Sequence, residues 1–536
     1  MTKSGSLIDY QLNESEKEKI QKLLVGMTVE EKIGQMITPF AFGNFLNRSS
    51  DEYKRIHRLI THYKVGGICL FKGTILNYAH LINEMQALTE IPLLISADFE
   101  RGLGMRLTDA IQFPYNMGVG ATGNPEYAYK MGLMLSREMK ALGVHQNFAP
   151  VADVNTHINN PIVNVRAYSE DKNIVAEYCA EFIRGCNEEN ILTSAKHFPG
   201  HGNTDIDSHV DLSLLYSTEK EFYDVDLYPF EKAVEAGVSS LMIAHVDVPG
   251  ITGKENFPAT VSSFIVTELI RNKLKFDGVV ITDAMTTYGI TSLYSAGEGA
   301  VKAILAGSDI LLLPPDEEVA IESLYRAAKS GVISEERIDQ SVSRILKAKL
   351  WTDVFSNNKV DISKLSVNVN SPETAAFAME IAKKSLKVME DREKILPLDF
   401  SQKISCITIS DIPAGELEMT FQNALHNRCS LFRRYVIDSK SSSDDYLRAI
   451  TIAENSGVLI VPLFIRIRAF QGGIVYVPEQ IEFIKKLIDL KIKFVLISFG
   501  NPYINRLFEG LGTYINAFGD SAIVQEAAAG FISMSR

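Results

Sequence analysis

The sequence predicts an α/β protein: a (β/α)8 barrel over residues 1–351, a polar connector at 352–371, and a smaller open α/β sheet sandwiched by helices over 372–536. Three observations predict this. Eight short apolar runs alternate with segments of helical period across roughly the first 350 residues, as a (β/α)8 barrel requires. Polar and ionisable residues (Asp98, Asp153, Lys196, His197, His245 and Asp283) recur at or just past the C-terminal ends of those runs, the face where such barrels carry chemistry. A doubly wound sheet would also alternate, but would have no reason to align so many polar strand ends. Finally, a chain of 536 residues is too long for one core.

In chain order, Thr28-Val29-Glu30-Glu31 forms a capping box that starts a helix. The predicted strands are Gln35–Phe40, Gly66–Phe71, Pro92–Ala97, Val144–Ala152, Leu192–His197, Ser240–Val246, Gly278–Thr282 and Asp309–Leu313. Helical periodicity fills the intervals, for example at Tyr53–Tyr63, Tyr127–Leu142 and Val261–Lys273. After Trp351 the stretch Thr352–Ser371 is rich in Asn, Ser and Asp, without strong period, and reads as a linker. A helix over Glu373–Val388 follows, then apolar runs at Cys406–Ile409, Val458–Phe464 and Phe494–Ser498 for the second sheet.

A net charge of −12 argues against nucleic acid as partner, because that footprint needs clustered positive charge. No run approaches the ~18 apolar residues of a membrane span, and Met1–Leu24 shows no secretory pattern. The five cysteines are scattered and odd in number, which fits reduced thiols and a cytoplasmic location better than a disulfide framework.

The most concentrated chemistry lies in Lys196-His-Phe-Pro-Gly-His-Gly-Asn-Thr-Asp-Ile-Asp-Ser-His209. Pro199, Gly200 and Gly202 forbid a helix, so this is a loop leaving a strand end. Its three histidines and two aspartates are far denser in proton-exchanging groups than a solvated loop needs. The stretch resembles the Lys-His-Phe-Pro-Gly-His-Gly…Asp-Ser-His signature of glycoside hydrolase family 3, in its β-N-acetylglucosaminidase branch. Val279-Val-Ile-Thr-Asp283-Ala-Met285 resembles that family's nucleophile motif. His245-Val-Asp-Val-Pro249 and Pro258-Ala-Thr-Val-Ser262 match their counterparts as well.

The resemblance implies a retaining β-N-acetylglucosaminidase acting on terminal non-reducing residues, with Asp283 as nucleophile, His209 as acid/base and Asp207 orienting His209. A retaining glycosidase needs an ionised carboxylate to trap the oxocarbenium-like centre covalently. An imidazole, with an unperturbed pKa of ~6.5, exchanges protons near neutrality without a second carboxylic acid. The resemblance further implies sugar binding by Asp98, Arg106, Arg166, Lys196, His197, His201 and Met285. Asp98 and Arg106 sit in a run similar to the family's Asp-x-Glu-Gly-Gly-x-x-x-Arg, with Arg101 in place of the first glycine. A structural Glu100–Arg106 ion pair is the competing use of that run. A small carbohydrate is thus the expected partner, and no metal or organic cofactor is implied.

Other readings are weaker. Gly118-Val-Gly-Ala-Thr-Gly123 fits a dinucleotide fingerprint, but no strand leads into it. Asn203–Asp207 mimics a calcium loop, yet Ser208 and Leu214 occupy the required Gly and Glu positions. His201, Asp207 and His209 have the chemistry of zinc ligands, the strongest rival on residue type alone. Within the family, a β-glucosidase would lack the histidine loop, phosphate could replace water as acceptor, and an inactive sugar-binding barrel is the alternative of another class. Chito-oligosaccharides and cell-wall muropeptide fragments both carry the implied terminal sugar.

Overall fold

The computed structural model describes residues 5–207, 210–429, 431–468, 471 and 473–533. The chain divides into two units: Met1–Ile111, Pro125–His157 and Glu170–Pro372 form the first, and Gln112–Asn124, Ile158–Ser169 and Glu373–Arg536 form the second.

The first unit contains β1 (Ile37–Thr38), β2 (Phe40–Gly43), β3 (Gly67–Gly73), β4 (Leu94–Ala97), β5 (Gln146–Asn147) and β6 (Leu192–Phe198). It continues with β7 (Ser213–Leu214), β8 (Ser240–Ile243), β9 (Val246–Asp247), β10 (Val279–Thr282) and β11 (Leu311–Leu312). Seven strands are neighbours in the order β2-β3-β4-β5-β6-β8-β10. Strand β1, which runs on into β2 through Pro39, pairs in parallel with β11, and Ile310 bridges Ile281 of β10. The ring therefore closes on eight parallel positions, one for each apolar run read from the sequence. Between them run the helices Asp51–Thr61, Ile75–Gln86, Glu126–Ala141, Lys172–Asn187, Tyr228–Glu235, Phe264–Lys273 and Ala296–Ala306, with Glu317–Lys329 and Glu335–Trp351 after β11. With helices covering them, the strands are buried on both sides, which is why they read as continuous apolar runs rather than alternating ones. Local signals act where expected: Thr28 accepts the Glu31 N–H, and the Glu31 carboxylate accepts the Thr28 N–H.

The N-terminal end of the ring buries an unusual cation. Lys349 is fully buried, and its Nζ donates to Gln35 Oε1 at 2.7 Å. Gln35 in turn donates to the Lys64 carbonyl at 2.6 Å. Burial pulls the ammonium down to about 7, and burial together with this charge pulls the nearby His145 down to about 3. The unfolded chain therefore holds the Lys349 proton more tightly than the folded one, so stability rises with pH between about 7 and the unfolded value near 10.5. The penalty is complete below about pH 7. Lys349→Met should raise the melting midpoint by about 2 °C or more at pH 6, and by less at pH 10. Calorimetry at the two values checks this, and an equal or larger gain at pH 10 contradicts it.

The connector is bound down on the first unit. Val360 and Asn83 exchange two hydrogen bonds. Asn370 accepts the Ile111 N–H, donates to the Asp109 carbonyl, and gives its own N–H to Glu138.

The second unit holds β12 (Lys387–Asp391), β13 (Ile404–Ser410), β14 (Phe432–Ile437), β15 (Val458–Phe464), β16 (Phe494–Ser498) and β17 (Thr513–Asn516). Their order is β12-β17-β16-β15-β13-β14, parallel except for the antiparallel edge strand β12. One apolar layer joins Cys406, Ile460 and Ile497 to Phe421, Leu425, Val524 and Ala528. The other joins Ile407, Val461 and Leu496 to Ile452, Ile484 and Leu487. Helices thus cover both faces, as the sequence predicts. The glycine-rich stretch 118–123 serves packing here: a Cβ on Gly120, in the helix Asn116–Ala121, would lie 2.1 Å from the Tyr168 carbonyl.

Candidate active site

Two strand ends bring four charges together. Asp98 follows β4, and Lys196 stands near the end of β6 with only 2 % of its surface exposed. The ammonium lies 2.8 Å from Asp98 Oδ1 and 2.8 Å from Glu100 Oε1. Arg106 Nη2 lies 2.5 Å from Asp98 Oδ2, and its guanidinium stacks 4.9 Å over the Phe71 ring. Arg106 thus pairs with Asp98, while Glu100 pairs with Lys196, so the Glu100–Arg106 alternative is replaced by a quartet. Burial alone would push the Asp98 carboxyl up, but the Lys196 and Arg106 cations outweigh it and hold it below its ordinary value. An ionised carboxylate set beside fixed cations offers acceptors and donors side by side.

The histidine loop is clamped by Asp153, a fully buried residue in the chain beyond β5. Its Oδ1 accepts the backbone N–H of His197 at 3.1 Å and of His201 at 2.7 Å. Its Oδ2 lies 2.7 Å from His197 Nδ1. A carboxylate only accepts, so Nδ1 carries a proton. Burial pushes Asp153 up, but the facing His197 and these N–H donors bring it below its ordinary value. His201 is buried, bonded through Nδ1 to Thr204 at 2.8 Å. Burial and the neighbouring His197 pull it down to about 4, so it is neutral near pH 7. Gly202 allows the loop to lie on the chain: a Cβ there would meet the Val154 carbonyl at 1.7 Å. Behind the loop Asp226 is also buried, and burial raises it to about 7.

Asp207 is fully buried. Ser208 and the expected acid/base, His209, lie outside the described residues. Asp283 follows β10, partly exposed, with Oδ1 accepting the Ala284 N–H at 2.7 Å and its own N–H given to the Ile243 carbonyl. Met285 is buried, and its N–H bonds to the Leu312 carbonyl. Arg166 stands on a segment that groups with the second unit, where Nη1 donates to the Ile162 carbonyl at 3.0 Å.

Asp98, Arg106 and Lys196 are therefore in direct contact, and His197 and His201 are joined through Asp153. Asp283 stands at the C-terminal end of a strand in the same ring. Asp153 was legible as a strand-end polar residue, but not as the clamp of the loop; a buried acid preceding a loop rich in N–H donors is the signal for that role. Among the described residues, no group of three or more His, Cys, Asp or Glu side chains is arranged to hold a metal ion.

Comparison with known proteins places this geometry. The model described as "Glycosyl hydrolase family 3 N terminal domain" matches residues 28–348. This chain belongs to glycosyl hydrolase family 3. The family 3 chain is a glycoside hydrolase whose matched region spans the ring and every strand-end group described above. It is similar to a β-N-acetylglucosaminidase/β-glucosidase of Cellulomonas fimi, with 28% identity over 71% of this chain and 67% of that protein. It is also similar to a β-hexosaminidase A of Pseudoalteromonas piscicida, at 28% identity over 71% and 69%. Among solved structures, a family 3 β-N-acetylglucosaminidase from Paenibacillus sp. str. FPU-7 aligns with a TM-score of 0.85 and 29% identity, covering 95% of this chain and 97% of that one.

Proposed function

We propose that this protein is a retaining β-N-acetylglucosaminidase that removes terminal N-acetylglucosamine from the non-reducing end of β-linked glycosides. Asp283 attacks the anomeric carbon as the bond to the leaving oxygen breaks, and His209, oriented by Asp207, gives that oxygen its proton. Water then attacks the glycosyl-enzyme, loses its proton to His209 and releases Asp283. The observation that carries this reading is the Asp98–Lys196–Arg106 cluster of ion pairs at strand ends of the ring that also carries Asp283, read here as a hydroxyl-binding set. His197, held by Asp153, and His201 and Met285 extend that set in this proposal, and Arg166 keeps its expected sugar-binding role as part of it. The names of the relatives support N-acetylglucosamine as the sugar. The five cysteines, all buried free thiols, support a reducing, cytoplasmic setting in which chito-oligosaccharides or muropeptide fragments are the substrates.

Release of nitrophenol from nitrophenyl β-N-acetylglucosaminide, compared with the β-glucoside and with and without phosphate, tests the assignment. Faster cleavage of the N-acetylated substrate, giving free sugar at a phosphate-independent rate, is expected. A sugar 1-phosphate product would make the enzyme a phosphorylase, and preference for the glucoside would overturn the substrate.

A further inference from the structure

His245 ends the run that begins with β8, is 1 % exposed, and has no part in the reaction scheme above. Its ring spans two contacts. Nε2 lies 3.2 Å from the Ala284 carbonyl oxygen, and Nδ1 lies 2.6 Å from Thr260 Oγ1. A carbonyl only accepts, so Nε2 carries the proton. Nδ1 rests on Thr260 Oγ1, whose hydroxyl donates to the Ala244 carbonyl, 2.9 Å away.

Ala284 immediately follows the carboxylate assigned to attack. Its N–H holds Asp283 Oδ1 at 2.7 Å, so the backbone that follows the carboxylate helps to set its orientation. The next peptide is gripped on both sides. Its carbonyl accepts from His245 and from the Thr287 N–H at 3.0 Å, and its N–H, from Met285, donates to Leu312 of β11 at 2.9 Å. Only the His245 contact comes from a side chain, and it ties the end of β8 to the turn after β10.

We propose that His245 is a positioning residue for the Asp283 carboxylate, acting through the Nε2–H···O=C bond to Ala284. The proposal rests on the reading of Asp283 as nucleophile. A carboxylate that attacks a single carbon has to be held in a near-attack orientation, and a loosened peptide lowers the rate of attack more than it lowers sugar affinity. Thr260 holds the ring so that Nε2 faces Ala284.

Two amide replacements separate the two ring contacts. Glutamine can present an N–H near the Nε2 position and asparagine can reach only the Nδ1 position. We expect His245→Asn to lower kcat at least tenfold with KM within about twofold of wild type, and His245→Gln to recover most of the loss. Both should be read on an aryl N-acetylglucosaminide alongside their melting midpoints. Equal loss in both variants with a matching drop in midpoint assigns His245 to packing alone and overturns the proposal, as does wild-type kcat in His245→Asn. Asp283→Asn, run beside them, keeps the two claims apart. If that variant is active the nucleophile reading fails, whereas an inactive Asp283→Asn with an unaffected His245→Asn removes only the positioning role.

Discussion

Asp283→Asn is expected to keep the fold and to lower turnover ~10³-fold or more. An amide is nearly the size of the carboxylate, and its oxygen can still accept the Ala284 N–H that Oδ1 takes now. The backbone bond from Asp283 N–H to Ile243 does not involve the side chain. Packing is thus preserved, and the midpoint should move by no more than about 1 °C. What the amide lacks is the electron pair that forms the glycosyl ester, so both steps fail together. Initial rates on an aryl N-acetylglucosaminide, with mass analysis for a glycosylated protein, check the result. Near-normal rates would place the nucleophile elsewhere.

The second large effect concerns His209, whose proposed task differs between the two chemical steps. A nitrophenolate needs little protonation to leave, so His209→Ala should still form the glycosyl-enzyme from a nitrophenyl substrate. Without a base to activate water, the intermediate should then persist. The expected trace is a burst of nitrophenol followed by turnover slowed ~10²-fold or more, while natural glycosides stall at the first step. Azide needs no deprotonation and should restore the second step, giving a β-configured glycosyl azide. Asp207→Asn should show a milder form of the same pattern, because the ring remains but its orientation suffers. Equal slowing of aryl and natural substrates, with no burst and no azide product, would remove His209 from the mechanism.

The polar C-terminal face of the ring was legible in the sequence because a parallel ring leaves local marks. Each strand is a closed apolar run, and a polar residue such as Asp98 or Asp283 at its end has nowhere to go but the C-terminal face. The partners of those residues were not legible. Asp153 receives its N–H bonds from positions 44 and 48 residues later, and only the paired strands bring them within reach. His245 reaches Ala284 across 39 residues for the same reason. Three strands of the second sheet also escaped notice: the edge strands β12 and β14, and the central β17, whose Thr513-Tyr-Ile-Asn516 is too short and polar to stand out. In β14, Arg433 and Arg434 are exposed, and β12 carries Lys387, Glu390 and Asp391, so neither shows the apolar run of a central strand. The grouping of 158–169 with the second unit left no local trace either, since its partners lie hundreds of residues away.

That grouping bears on how the chain is made. Met117 and Val165 leave the ribosome early, yet the apolar cluster they belong to includes Ile467, Tyr503 and Phe518, and the Tyr115 N–H waits for the Phe518 carbonyl. At about 5–20 residues per second, synthesis of the roughly 350 intervening residues takes on the order of 20–70 s. Throughout that interval the ring can close while two of its own connecting segments still lack their partners. A chain stopped after Pro372 would remain in that state permanently, carrying Met117 and Val165 without the side chains that cover them and Arg166 on an unsupported segment. Residues 467–518 are therefore needed to finish a structure begun near residue 112, and nascent chains paused between the two should be the ones that chaperones hold longest.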